Sequence, residues 1–112
     1  MNVYEEAHKL AAAIKESGEY KEFDELKKEV DKDPDLANSL KDFQQKQFQF
    51  QARQMSGEAP DNELMQQIQS MYQLIVANPL AAKYMQAEAR FSIMMKDVYE
   101  ILAETVNISF NK

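Results

Sequence analysis

A glutamate and a histidine near the start of the chain have the spacing of a metal-binding motif. Glu5 and His8 are three residues apart, as in the Glu-x-x-His motif of di-iron carboxylate bundles. Such a site needs two copies of the motif and two further inward glutamates. The nearest candidates on the last predicted helix, Glu88 and Glu104, lie off its apolar stripe. The alternatives are therefore a metal site completed by a second copy, and a solvated histidine near a helix start, which the sequence favours.

Other catalytic chemistries lack the residues that they need. The chain has no cysteine, which excludes thiolate nucleophiles and cysteine-held zinc or iron–sulfur sites. The single histidine has no nucleophile with which to pair, and two isolated glycines cannot form a phosphate-binding loop. We therefore predict that the protein is not an enzyme and that it binds no metal or cofactor.

Charge offers a second kind of chemistry, the recognition of a charged partner. The net charge is −6, from 13 basic and 19 acidic residues. An acidic chain gains little from counterion release on a phosphate backbone, so we expect no direct binding of nucleic acid. An acidic face that runs from the end of the first predicted helix along the second is interpreted as solvated surface, with a docking surface for a basic partner as the alternative. Its residues are Glu16, Glu19, Glu22, Glu25 and Glu29.

Five helices are predicted to position these side chains. Capping residues and apolar stripes place them at 3–16, 19–31, 34–56, 62–77 and 79–106, followed by a tail at 107–112. Asp33-Pro34 and Asn78-Pro79 each put a capping side chain before a proline at the first helical position. Gly57 suits the left-handed residue after a helix end. We predict a single all-helical domain over residues 1–112.

The long third and last helices carry the broadest apolar stripes. The glutamine-rich stretch FQQKQFQFQARQMSG keeps helical spacing from Asp33, so it is predicted to be helix rather than a prion-like tract. Phe48 and Met55 lie on a neighbouring stripe, which widens the apolar face. Surface of this breadth favours pairing with a second copy or a related subunit, with a self-sufficient monomeric bundle as the alternative. The prediction is an all-α, elongated antiparallel bundle completed by dimerisation, whose seam is anchored by Phe43, Phe50, Phe91 and Met94.

The length of the apolar runs and the N-terminal residues indicate where in the cell the protein is expected. None approaches the roughly 20 residues needed to span a bilayer. The N-terminal MNVYEEAHK has acids where a signal peptide has a basic region and an apolar run. We expect a cytoplasmic protein that does not bind membranes.

Two segments of the chain resemble the YlbF/YmcA family of Gram-positive bacteria. They are VYEEAHKLAAAIKESGEYKEFDELKKEVDKDPDLANSLKDFQQKQ and NPLAAKYMQAEARFSIMMKDVYEIL, and the resemblance covers roughly residues 3–106. It is closest to the YheA-like branch of the family. The resemblance implies an all-helical protein without enzymatic activity that forms dimers or hetero-complexes.

The resemblance also implies a regulatory role. Members of this family act as regulatory subunits in competence, sporulation and biofilm development. The best-studied ones associate with a further partner and with a membrane-anchored endoribonuclease, and they influence transcript maturation. Some of those complexes hold iron–sulfur clusters through cysteines; since this chain has none, no cluster is expected.

Residues and resemblance together predict a non-enzymatic helical adaptor. It would act through protein–protein contacts, in a complex that affects RNA processing or developmental regulation. The expected partners are a second copy or a related helical subunit, within an endoribonuclease-associated complex. The alternative function is a metal- or cofactor-binding helical bundle that uses Glu5 and His8.

Overall fold

Five α-helices account for almost all of the chain that the structure, a computed structural model, describes, which is residues 2–106. They are α1 (Val3–Glu16), α2 (Gly18–Asp31), α3 (Pro34–Met55), α4 (Asn62–Val76) and α5 (Pro79–Val106). The predicted all-α class and the number of helices are confirmed. So are the long third and last helices, with 22 and 28 residues. The predicted tail at 107–112 lies outside the described residues.

Side-chain caps explain where the helices begin. The Asn2 side-chain oxygen accepts the backbone N–H of Tyr4 at 2.8 Å. The Asp33 carboxylate accepts that of Leu36 at 3.2 Å, and the Asp61 carboxylate accepts that of Leu64 at 3.1 Å. The Asn78 side chain caps α5 in the same way. Each cap satisfies N–H groups that have no partner inside the helix.

Ser17 is the single residue between α1 and α2. Its hydroxyl donates to the carbonyl of Ile14 and accepts the N–H of Tyr20 at 3.1 Å. Because this one side chain closes α1 and opens α2, the second helix begins at Gly18, one residue before the predicted start. The C-terminal ends of α3 and α4 each lie one residue before the predicted position.

Packing divides the chain into two compact units. The terminal unit comprises the described residues of Met1–Leu26 and Met85–Lys112, and the central unit comprises Lys27–Tyr84. The boundaries fall inside α2 and α5. The single domain over residues 1–112 stays a prediction.

The central unit is built around the pairing of α3 with α4. Phe43 is its most deeply buried aromatic residue, with 2% of its surface exposed, and its ring lies 6.1 Å from that of Tyr72. Leu40 and Ile75 are also buried there, on the same two helices. The terminal unit has a different centre, in which Phe91 stacks on Phe23 at 5.3 Å.

Two glycines allow a matched test of the α3–α4 connection. Gly57 follows the end of α3 with a φ of +77°, whereas Gly18 begins α2 without a left-handed φ. A Cβ at either residue would meet nothing within 4 Å, so only backbone conformation distinguishes them. We expect Gly57→Ala to lower the free energy of unfolding by about 1 kcal/mol. Gly18→Ala should raise it by about 0.5 kcal/mol, because alanine restricts the unfolded chain.

Urea denaturation followed by circular dichroism measures both changes. Equal effects of the two substitutions would contradict this account of the α3 terminus.

Candidate protein-docking surface

The predicted metal motif lies on the exposed first helix. Glu5 and His8 are both exposed on α1, Glu104 is exposed on α5, and Glu88 is half-buried on the same helix. Within residues 2–106, no group of three or more histidine, cysteine, aspartate or glutamate side chains could hold a metal ion. One copy therefore does not bring the four candidates together. A site completed by a second copy stays a hypothesis.

The acidic residues of α2 are partly engaged within the chain. Glu22 pairs with Arg90 at 3.1 Å, inside the terminal unit, and Glu29 pairs with Lys32 at 3.0 Å. Both pairs are solvent-exposed, and exposed pairs of this kind contribute about 1 kcal/mol or less to stability. The arrangement supports the interpretation of this face as solvated surface.

The apolar stripe of α1 is left uncovered. Val3, Ala7, Leu10 and Ile14 recur at helical spacing and define one side of the helix, yet no residue of α1 is buried. Val3 is 80% exposed, its neighbour Tyr4 is 78% exposed, and only Ile14 is half-buried. Burial of apolar surface is worth about 25 cal/mol per Å². A partner that covered this stripe would gain that free energy.

The last turns of α5 form a second uncovered apolar stripe in the same unit. Tyr99, Leu102 and Val106 are three and four residues apart, so they share one side of the helix, and Ile101 lies beside them. All four are exposed, Ile101 by 62%. We call the α1 and α5 groups the terminal stripes. Large exposed apolar groups of this kind mark interaction sites when they lie close together.

The predicted seam residues are covered to different degrees inside the chain. Phe43 is buried in the central unit. Phe91 is half-buried and contacts Phe23 and, at 5.7 Å, Tyr20. Phe50 and Met94 are half-buried. Much of the apolar surface that suggested a seam is thus used within one copy, and its role between copies stays a prediction.

The most exposed apolar residues of α3 are not the predicted seam residues. Phe48 is 71% exposed and Met55 is 86% exposed, both on α3. Their position on a neighbouring stripe was the sequence signal for them. The terminal stripes gave no such signal, since helical spacing makes them resemble the buried sides of ordinary helices.

No helix in the described part of the chain is both long enough and apolar enough to cross a membrane.

Known proteins resemble this chain over nearly its whole length. A sequence model of the family described as control of competence regulator ComK, YlbF/YmcA, matches residues 3–107. A UPF0342 protein of Caldicellulosiruptor bescii is 34% identical over 105 residues, which cover 94% of this chain and 88% of the relative. A UPF0342 protein of Desulfitobacterium hafniense is 37% identical over 106 residues, which cover 95% of this chain and 86% of the relative.

Two solved structures share the fold. A DUF964 protein from Bacillus stearothermophilus superposes with a TM-score of 0.75 at 22% identity, covering 94% of this chain and 92% of the other. Bacillus subtilis RicA, solved in complex with RicF, superposes with a TM-score of 0.60 at 20% identity, covering 94% and 93%. At these identities the likeness shows the helical fold.

Proposed function

Because the chain belongs to the YlbF/YmcA family, we propose that it is a non-enzymatic helical adaptor that regulates through contacts with other proteins. The observation that carries this proposal is the first helix, which has an apolar stripe and no buried residue. A helix of this kind gains stability when a partner covers the stripe. The exposed end of α5 offers a second such surface in the same unit.

The partner that this chemistry suits is another helical protein. Apolar residues at helical spacing insert into grooves between the helices of a partner. RicA, which shares the fold, was solved in complex with RicF, and this supports another protein as the partner. The family description, control of a competence regulator, supports a role in developmental regulation. We place the complex in the cytoplasm, where it would affect RNA processing through an associated endoribonuclease.

Two alanines of α1 provide a matched test. Ala7 lies on the apolar stripe and Ala12 on the opposite face, and both are exposed. We expect Ala7→Lys to reduce retention of a related helical subunit by about tenfold or more, because it places a charge in an apolar contact. Ala12→Lys should retain it as the wild type does. Lysine is a good helix former, so the helicity of both variants should be unchanged.

The measurement is affinity purification of the tagged full chain from its native cells. Co-purifying chains of the same family are quantified by mass spectrometry. The proposal fails if both variants retain the same subunit as the wild type does, or if both lose it equally.

A further inference from the structure

A depression in the central unit is lined by the last turns of α3 and the first turns of α4. Its volume is about 430 Å³, which is in the range of sites that bind small groups. Phe48, Ala52 and Leu64 contribute apolar surface to its lining, and Asp61 and Glu63 contribute carboxylates. The same depression therefore offers a ligand both apolar contact and negative charge.

The arginine that also lines the depression does not cancel this negative charge. Arg53 pairs with Glu58 at 3.3 Å and donates to the carbonyl of Ala59 at 3.1 Å. Among residues 2–106, Glu63 has no ion-pair partner, and one carboxylate oxygen of Asp61 is used to cap α4. The carboxylate of Glu63 and the second oxygen of Asp61 are therefore available to a cation.

Arg53 has one hydrogen-bond donor that the α3–α4 connection does not satisfy. Its Nε–H is buried and has no hydrogen-bond partner in the part of the chain that the structure describes. A buried donor without a partner is destabilising, so an acceptor oxygen inserted beside Arg53 would be favoured. The depression thus suits a ligand that carries both a cation and a hydrogen-bond acceptor.

We propose that this depression binds an arginine side chain from a basic segment of a partner protein. A guanidinium group is planar, so it can stack on an aromatic ring while its N–H groups donate to carboxylates. Phe48 supplies the ring, and Asp61 and Glu63 supply the carboxylates. A backbone carbonyl of the same segment accepts the Nε–H of Arg53. A metal ion or a polyamine has no such acceptor and satisfies only the carboxylates.

The exposure of the lining favours a protein segment over a free small molecule. Phe48 is 71% exposed, and Ala52 and Glu63 are exposed as well. Sites for small molecules usually enclose most of the ligand, whereas an open depression can hold one side chain of a larger chain. The arginine site belongs to the central unit and the terminal stripes to the terminal unit. It therefore adds a charged contact to the apolar one proposed above.

Short peptides test the class of ligand. The probes are a peptide of glycine and alanine with one central arginine, blocked at both ends, and the same peptide with citrulline or lysine instead. We expect a dissociation constant of about 0.1 to 1 mM for the arginine peptide. The citrulline peptide keeps the shape without the charge and should bind at least about tenfold more weakly, and the lysine peptide about threefold. Backbone-amide NMR of the full chain measures the affinity and locates the site.

Variants of the lining test the residues. Glu63→Gln and Asp61→Asn each remove one charge, and asparagine still caps the helix. Each should weaken the arginine peptide about threefold, and the double variant about tenfold. Phe48→Ala should weaken it about threefold. Two controls should leave binding unchanged: Asp35→Asn, which removes a charge from the first turn of α3, and Met55→Ala, at an exposed position of the same helix.

Several outcomes overturn the proposal. Equal binding of the arginine and citrulline peptides does so, as does an arginine peptide that shifts amides away from the depression or binds the double variant as tightly as the wild type. Tighter binding of spermidine than of the arginine peptide would show a site for free polyamines instead. Equal binding of the lysine peptide overturns the assignment to arginine. Ala7→Lys should leave peptide binding unchanged, so failure of the adaptor proposal and failure of this one are distinguishable.

Discussion

Replacing Phe43 with alanine is expected to lower the free energy of unfolding by about 3 to 5 kcal/mol. The phenylalanine is 2% exposed and lies against Tyr72. Its removal leaves a cavity between α3 and α4, which the neighbouring side chains fill only in part. Urea denaturation followed by circular dichroism measures the loss.

Phe48→Ala is the control, since it makes the same chemical change on the same helix. Phe48 is 71% exposed, so we expect a change within about 0.5 kcal/mol. The two variants thus isolate the effect of burial, because only Phe43→Ala removes a ring that is packed within the central unit. A Phe43→Ala variant as stable as wild type would show that α3 does not pack on α4 as described.

Phe91→Asp is expected to have the second large effect, about 3 kcal/mol or more. The ring of Phe91 stacks on Phe23 with an interplanar angle of 3° and meets Tyr20 at 59°. The substitution removes both contacts and leaves a carboxylate among the remaining rings. Thermal unfolding by circular dichroism measures the destabilisation, and light scattering on the same sample gives the mass.

Ile93→Asp is the matched control on the same helix. Ile93 is 61% exposed, so an aspartate there remains hydrated and should change stability by about 0.5 kcal/mol or less. If Phe91→Asp kept both the helicity and the melting temperature of the wild type, the three-ring cluster would not stabilise the terminal unit. A loss of mass without a loss of stability would instead place Phe91 in the predicted seam.

The helices could be predicted from the sequence because their signals are local. The oxygens of Asp33 and Asp61 bond N–H groups three residues along the chain, and Gly57 has the left-handed φ expected after a helix end. A cap and a spacing of three and four residues need no knowledge of the rest of the fold. This is why the helix number and class were predicted well.

Which apolar helix sides are buried could not be predicted in the same way. The stripes of α1 and α3 have the same spacing, yet Phe43 is buried and Leu10 is 36% exposed. Periodicity identifies the apolar side of a helix, whereas burial depends on which other helix lies against that side. The same limit applies to the seam: apolar character at Phe43 and Phe91 was predicted, but their contacts within one copy were not.

The one-residue joint at Ser17 has a consequence for recognition. A helix on a flexible linker loses conformational entropy when it binds a partner, and that loss weakens its affinity. Here the Ser17 hydroxyl forms hydrogen bonds on both sides of the joint, with Ile14 and with Tyr20, and these bonds restrict the motion of α1 about the joint. The first helix is thus preorganised relative to the start of α2, and its capture by a partner costs less conformational entropy than capture of a helix on a flexible linker.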